Sequence, residues 1–298
     1  MFCIKQARSR IVYWGGDNIM KKINLFKKFP ALIKKKNFLK FPKFLKAKSA
    51  VKAFSFLFVA AAGVFLVSRY AAVNVFGSFA QAERKLPIYC VETDEKKVAI
   101  SFDAAWGADD TDELLRILKE NDVKTTFFMC GYWVDDYPEE VKKIYADGHD
   151  LGNHSATHPH MSQLSKQQIK DELAKTGEKV KNLTGYEMDL FRPPFGEYNN
   201  NVIEAADESG YYTVQWDVDS LDWKNLGTEH EINQVLNHKH LGNGSIILFH
   251  NDAKFTPQAL DTIIKGLKDK GFEIVPISEI IIREDFHMDH EGRQIKNN

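Results

Sequence analysis

Cysteine is scarce, with three in 298 residues. That excludes a fold stapled by disulfides, because such scaffolds are small and dense in cysteine. Acid is missing from one whole region: no Asp or Glu lies between Asn18 and Ala82. No repeat of fixed period runs through the chain. What is present is a division of charge. Residues 1–82 carry sixteen basic residues and one acid, for +15, while 83–298 carry 24 basic and 40 acidic residues, for −16. The near-neutral total of −1 therefore joins a basic arm to an acidic body. Hydrophobic content of 44% and charged content of 27% exclude a wholly disordered chain. A body of this length suits one large domain with a sizeable core.

Residues 1–52 read as a basic cytoplasmic arm, with twelve lysines from Lys21 to Lys52 and with Pro30 and Pro42 interrupting any long helix. The apolar run Ala53–Val67 is a little short for a bilayer. Lys52 and Arg69 can snorkel at its ends, so 53–68 is expected to be a transmembrane signal-anchor. The lysines place the N-terminus in the cytoplasm and the body outside a single-pass cell-membrane anchor. A signal peptide cut after Ala80-Gln81-Ala82 is the alternative, but that site falls late, which favours the anchor. Beside an apolar run, the lysines suit anionic lipid rather than nucleic acid. Met20-Lys-Lys-Ile is the more usual signal start, so Met20 is the expected initiator.

Residues 69–94 read as a linker. From 95 to 282, short apolar runs alternate with amphipathic helical patterns, and 283–298 read as a polar, frayed tail. Strands alternating with helices predict an α/β fold: a distorted (β/α) barrel of about seven parallel strands with helices outside. Tyr211–Val218 reads as one of the strands, and Asp110 with Glu113 has the spacing of a capping box for the first helix. Polar residues at the carboxyl ends of such strands are the usual catalytic positions. Asp103, His154, Arg192, the acids Asp217, Asp219 and Asp222, and His250 all collect there.

His154 and His158 are spaced as on one helical turn, which suits a shared metal. His250 ends the strand Ile246–Phe249 and has the pKa range of a general acid; Asp103 ends Ala99–Phe102 and could activate a water. The stiff turn Arg192-Pro-Pro-Phe-Gly196 could hold Arg192 in a two-pronged pairing with a carboxylate. One of the nearby acids could raise the pKa of His250. Trp106, Tyr198, Trp216 and Trp223 suit stacking on sugar rings, Trp216 equally well core packing. Cys90 and Cys130 could pair in an oxidising exterior, but free thiols are expected.

Five segments appear in order: Ser101-Phe-Asp-Ala-Ala-Trp-Gly107, His154-Ser-x-x-His158-Pro, Arg192-Pro-Pro-Phe-Gly196, Asp219-Ser-x-Asp222-Trp223 and Leu248-Phe-His250. Together they resemble the motifs of the polysaccharide deacetylases, the NodB-homology domain of carbohydrate esterase family 4. The first is similar to that of the sporulation-type, membrane-anchored branch. The resemblance implies hydrolysis of N-acetyl groups of amino sugars in a cell-wall or spore-wall glycan such as peptidoglycan. It implies Asp103 as base, His250 as acid, Arg192 orienting Asp103 and Asp222 tuning His250. Trp223 and Leu248 would line the acetyl pocket, and the Phe195 N–H would help hold the oxyanion; Tyr198 is expected to bind substrate for its aromatic face beside these motifs. His154 and His158 would bind a divalent metal, usually zinc.

One position departs from the pattern. The family's first motif normally carries a second Asp as third metal ligand, where this chain has Ala104. Asp109 or Asp110 could take that place, although helix capping is the expected role of both. A glycan-binding pseudoenzyme is therefore the alternative to a deacetylase. A glycoside hydrolase using two of Asp217, Asp219 and Asp222 is a third reading, disfavoured because acids so close in sequence flank a bond poorly.

Overall fold

The computed structural model describes residues 83–297, together with Phe58, Ala61, Ala62, Val64 and Phe65, which are helical. Among the described residues no helix is long and apolar enough to cross a membrane. The basic arm, Met20 and otherwise the expected anchor at 53–68 lie outside them. The chain divides at Gln81 and Ala82 into two units, and the second holds the fold described below.

Along the chain run β1 (Cys90–Val91), β2 (Lys97–Ala104), α1 (Thr111–Glu120), β3 (Thr126–Met129), α2 (Gly131–Asp136), α3 (Pro138–Ala146) and β4 (Asp150–Asn153). Then come α4 (Lys166–Thr184), β5 (Leu190–Phe191), α5 (Asn200–Glu208), β6 (Tyr212–Thr213), β7 (Val218–Asp219), α6 (Thr228–Leu236) and β8 (Ile246–His250). The chain closes with α7 (Thr256–Asp269), β9 (Glu273–Val275), α8 (Ile277–Ile280), β10 (Phe286–Met288) and β11 (Arg293–Lys296). Strands β6-β5-β4-β3-β2-β8-β7 form one sheet in that order, and β9 joins the start of β2. All its pairings are parallel. Seven parallel strands curl into a half-barrel with helices outside, the α/β architecture expected.

Strand β2 shows why the residues fold this way. Its side chains alternate between faces, as in any strand, yet nearly all are buried, as a parallel sheet covered on both sides requires. Val98, Ile100, Phe102 and Ala104 enter the core packed by Leu114 and Leu118 of α1 and Ile263 and Leu267 of α7. Ala99 enters the inner core with Phe128, Leu190, Val214 and Ile246. Ser101 and Asp103 share that inner face by alternation. Helix α4 begins with a full capping box between Ser165 and Gln168. The box expected at α1 is not made: Asp110 has no side-chain capping bond, and Glu113 instead pairs with Arg116 at 2.8 and 2.6 Å.

Three stretches differ from expectation. Tyr211–Val218 is not one strand but two short ones, because pairing after β6 passes to the incoming segment: Ile88 N–H donates to Thr213 O at 2.9 Å and Gln215 N–H to Ile88 O at 2.7 Å. The end of the expected linker is therefore part of the domain, with Ile88 and Val91 buried in the inner core. Of the expected tail 283–298, the described residues 283–297 do not fray. Strand β11 pairs with β1 and β10, and the buried Gln294 amide bonds both the N–H and the carbonyl of Ile282 at 2.7 and 2.6 Å. A polar residue whose groups are all satisfied can be buried at little cost.

Candidate active site

Parallel register assembles the site. Asp103 is the cross-strand partner of His250 on β8 and of Phe128 on β3, and Phe128 is the partner of Gly152 on β4. One step past the paired ends Met129, Asn153 and Phe191 come Cys130, His154 and Arg192. By alternation His154 and Arg192 share the inner face with Asp103, while Cys130, just before α2, packs with Phe127, Met129 and Trp133 of the outer core.

Gly152 has a particular use there. A Cβ on it would lie 2.4 Å from Phe128 Cδ1, so only glycine lets the Phe128 ring lie over β4. The wholly buried Arg192 stacks on that ring, its guanidinium carbon 4.1 Å from the centroid. From this perch Nη1 donates to Asp103 Oδ1 at 2.8 Å and Nη2 to the Gln215 carbonyl at 3.0 Å. The expected two-pronged pairing is thus single, the second arm going to the backbone. Gly152→Ala should displace the ring, cost about 1–3 kcal/mol as overpacking does, and loosen Arg192. Chemical denaturation reads the loss; unchanged stability would refute the packing account.

Burial alone would push the Asp103 carboxyl up, but Arg192, His154 and His250 outweigh it and hold Asp103 below its ordinary value. Its Oδ2 lies 3.7 Å from His154 Nε2. His154 Nδ1 lies 2.7 Å from the Arg192 carbonyl. A carbonyl only accepts, so Nδ1 carries the proton and Nε2 keeps a free lone pair, the usual support of a metal-binding histidine.

His154 to His158 is a loop rather than a helical turn, with Ser155 at φ 69° and His158 at φ 54°. Such left-handed backbone is costly and persists only where surroundings impose it. Here Glu172 of α4 imposes it, its Oε2 accepting from Ala156 N–H at 3.0 Å, Thr157 N–H at 2.8 Å and the Thr157 hydroxyl at 3.1 Å. The two rings meet edge to face, 5.0 Å apart. Burial, helped by His154, pulls the His158 pKa down to about 4, so it stays neutral and able to ligate at neutral pH. Among the described residues, one group of three brings candidate ligand atoms within 4.8 Å of one another: Cys130, His154 and His158. Neutral imidazoles with a thiol suit zinc-type ions. Asp109 and Asp110 are not in that group. Cys90 and Cys130 are both buried free thiols.

His250 is anchored by Asp222. The Asp222 Oδ1 accepts from His250 Nδ1 at 2.8 Å, and Oδ2 accepts from the His250 backbone N–H at 2.6 Å. Burial would lower the His250 pKa, but Asp222 more than offsets this and raises it. The other two acids serve the backbone. Asp217 accepts from Ile246 N–H at 2.8 Å and Ser245 Oγ at 3.0 Å, and Asp219 from Leu221 N–H at 2.8 Å. Asp217 and Asp219 are engaged by backbone N–H groups and Asp222 by His250, which disfavours a glycoside hydrolase built on two of them.

Around these groups stand Trp106, Phe195 and Trp223, with 58, 59 and 54% of their surface exposed. Trp106 and Phe195 meet His158 edge-on at 5.1 and 4.5 Å. Phe195 sits at φ 60° within its turn. Leu248 is buried on β8. Tyr198 lies elsewhere: its hydroxyl takes Arg84 at 3.0 Å and Tyr89 at 3.3 Å, and its ring packs beside Met161 and Phe191.

Comparison with known proteins fits this geometry. A profile described as polysaccharide deacetylase matches residues 91–214. A peptidoglycan-N-acetylglucosamine deacetylase of Bacillus cereus is 36% identical over 196 residues, covering 64% of this chain and 91% of that protein. A peptidoglycan-N-acetylmuramic acid deacetylase of Bacillus subtilis is 32% identical over 204 residues, covering 67% and 77%. The chain belongs to the polysaccharide deacetylase family. The deacetylases of this family are hydrolases acting on amide bonds. An uncharacterized protein of Bacillus subtilis is 37% identical over 195 residues, and the chain spans only 60% of its length. Among solved structures, a family 4 pseudoenzyme from Bacillus anthracis shares 35% identity at TM-score 0.63, covering 67% of this chain and 70% of that one. A mutant of it with restored enzymatic activity matches at 36% and the same TM-score.

Three residues of this polysaccharide deacetylase fold that support the site fall outside the five motifs: Cys130, Glu172 and Gln215. Glu172 left a trace, since it lies on the helix face of Ile169, Leu173 and Thr176, all buried, where an acid needs partners. Gln215 contributes through its carbonyl, which any residue type supplies.

Proposed function

We propose that this domain removes acetyl groups from N-acetylated amino sugars of peptidoglycan, held at the outer face of the cytoplasmic membrane by residues 53–68 in the manner of the sporulation-type branch. The observation that carries the reading is the pairing of Asp103 with His250 on adjacent strands, one charge held by Arg192 and the other by Asp222. Asp103, kept ionised, takes a proton from the water that attacks the acetamide carbon. His250, kept protonated, gives its proton to the departing amine, so acetate and a free amino sugar result. The Phe195 N–H faces the developing oxyanion. Trp223 and Leu248 border the acetyl group, and Trp106 offers a sugar-stacking surface. A divalent ion on His154 and His158 would polarise the acetamide carbonyl and acidify a bound water. Tyr198, engaged by Tyr89 and Arg84, could reach substrate only by giving up those bonds.

Ala104 favours a second reading, a glycan-binding pseudoenzyme, and the Bacillus anthracis neighbour supports it. Acetate release from peptidoglycan by the purified full chain, chelated and then resupplied with zinc or cobalt, separates the two. Metal-stimulated release is expected. Glycan binding with no release under any metal would leave the pseudoenzyme.

The pH profile follows from the two shifts. Activity needs Asp103 ionised and His250 protonated, so the acid limb should lie below the usual carboxylate value and the alkaline limb above the ordinary histidine value of about 6.5. Asp222→Asn removes the charge that raises His250, and the alkaline limb should move to lower pH. An alkaline limb that stayed put would separate it from His250.

A further inference from the structure

We infer that Cys130 is the third protein ligand of a zinc-type metal site with His154 and His158, its thiolate supplying from β3 the negative charge that Ala104 lacks on β2. The inference deepens the deacetylase reading of the same site and depends on it only for what the ion is for. Four observations carry it. Cys130 follows β3 directly, and its backbone N–H donates to the Ala104 carbonyl at 3.0 Å, so it stands beside the very position that lacks the ligand. Its sulfur reaches the His154 carbonyl at 3.3 Å, placing it beside the first histidine. The ligand atoms of all three residues lie within 4.8 Å of one another. His154 presents Nε2 because its Nδ1 is held by the Arg192 carbonyl.

Zinc bonds of about 2.0–2.3 Å in a tetrahedron put ligand atoms roughly 3.5 Å apart. The site therefore closes by an ångström or so on binding. Cys130 is the residue before α2 and His158 lies within the loop 154–160, so the closure falls on side-chain rotation and on segments outside the strands. Ala104 is buried among Phe102, Leu114 and Phe127 in the outer core, and a methyl donates nothing.

The chemistry balances without an oxidant. The S–H bond breaks, its proton goes to solvent, and a sulfur–metal bond forms. A thiolate carries the same single charge as a carboxylate, so the net charge of the ion facing substrate is the same. Its softness selects zinc or cobalt over magnesium or calcium. The fourth position stays open, as in a catalytic zinc site.

The test is cobalt titration of the purified full chain. Wild type should show a near-ultraviolet sulfur-to-cobalt charge-transfer band with tetrahedral visible bands, and magnesium should not compete. The charge-transfer band should vanish in Cys130→Ser and Cys130→Ala. Zinc affinity, read by chelator competition, should fall in Cys130→Ala by at least the roughly 10–100-fold that loss of an outer-sphere partner costs. Cobalt bound without the sulfur band, no binding at all, or zinc affinity unchanged in Cys130→Ala would each overturn the inference. The wild-type spectrum needs no variant, and metal-free circular dichroism checks that the variants fold. Acetate release measured alongside keeps the two readings apart. A sulfur–cobalt band without acetate leaves Cys130 as a ligand and removes the deacetylase. Acetate without the band leaves the deacetylase and removes Cys130.

Discussion

Asp103→Asn should lower acetate release from peptidoglycan by about 10²–10⁴-fold, the range that a positioned general base contributes. The substitution is nearly isosteric, and the amide oxygen can still accept from Arg192 Nη1. What it removes is the proton acceptor and the charge, not the shape. Asp103 suits such a test because its environment is set to keep it ionised: burial works against the charge, and Arg192, His154 and His250 overcome burial. Glycan binding should persist, since Trp106 and Trp223 on the rim are untouched. Steady-state rates with a glycan-binding control decide the matter. If the variant kept more than about a tenth of wild-type activity, the water would have to be activated elsewhere.

How much of this was legible in the sequence depends on the kind of interaction. Strand ends were legible because a parallel strand covered on both faces reads as an apolar run that stops abruptly at a polar residue. Asp103 and His250 announce themselves that way, whereas His154 follows Asp150-Leu-Gly-Asn153 and Arg192 only Leu190-Phe191, so these two stand out through their motifs. Which of three neighbouring acids serves His250 was not fixed by the chain alone. The family resemblance pointed to Asp222, and the structure explains why the others are unavailable: Asp217 and Asp219 hold backbone N–H groups. The spacing of His154 and His158 suggests a helical turn because spacing alone does not reveal left-handed residues imposed by a distant Glu172. Residues 283–298 look like a fraying tail by composition, and only the satisfied amide of Gln294 shows why strands 286–288 and 293–296 pair. In the sequence Cys130 is a free thiol at the end of an apolar strand. The histidines beside it come from the end of β4 and the loop after it, more than twenty residues on, and no local pattern joins them.

Arg192→Met should destabilise the domain by about 3–5 kcal/mol, the cost of stranding one member of a buried ion pair. Methionine keeps much of the packing against Phe128, so the loss comes chiefly from Asp103, left buried without its cation. Lysine should not rescue, because a point charge can neither stack flat on Phe128 nor reach Asp103 and the Gln215 carbonyl together. The double variant Asp103→Asn/Arg192→Met should recover a large part of the loss, since replacing both partners removes the stranded charge. Urea midpoints at constant m-value measure each corner of the cycle. The pH dependence gives a second check. In wild type, the pKa of Asp103 is depressed, so its stabilising contribution is present above the unfolded carboxylate value of about 3.9 and is lost as pH falls through the folded one. In Arg192→Met, burial is no longer opposed by the guanidinium and that pKa rises. The gap between the two proteins should therefore be widest near neutrality and narrow in acid, where Asp103 is protonated in both. A gap independent of pH would mean that Arg192 acts through packing alone, and its role in holding Asp103 ionised would fall with it.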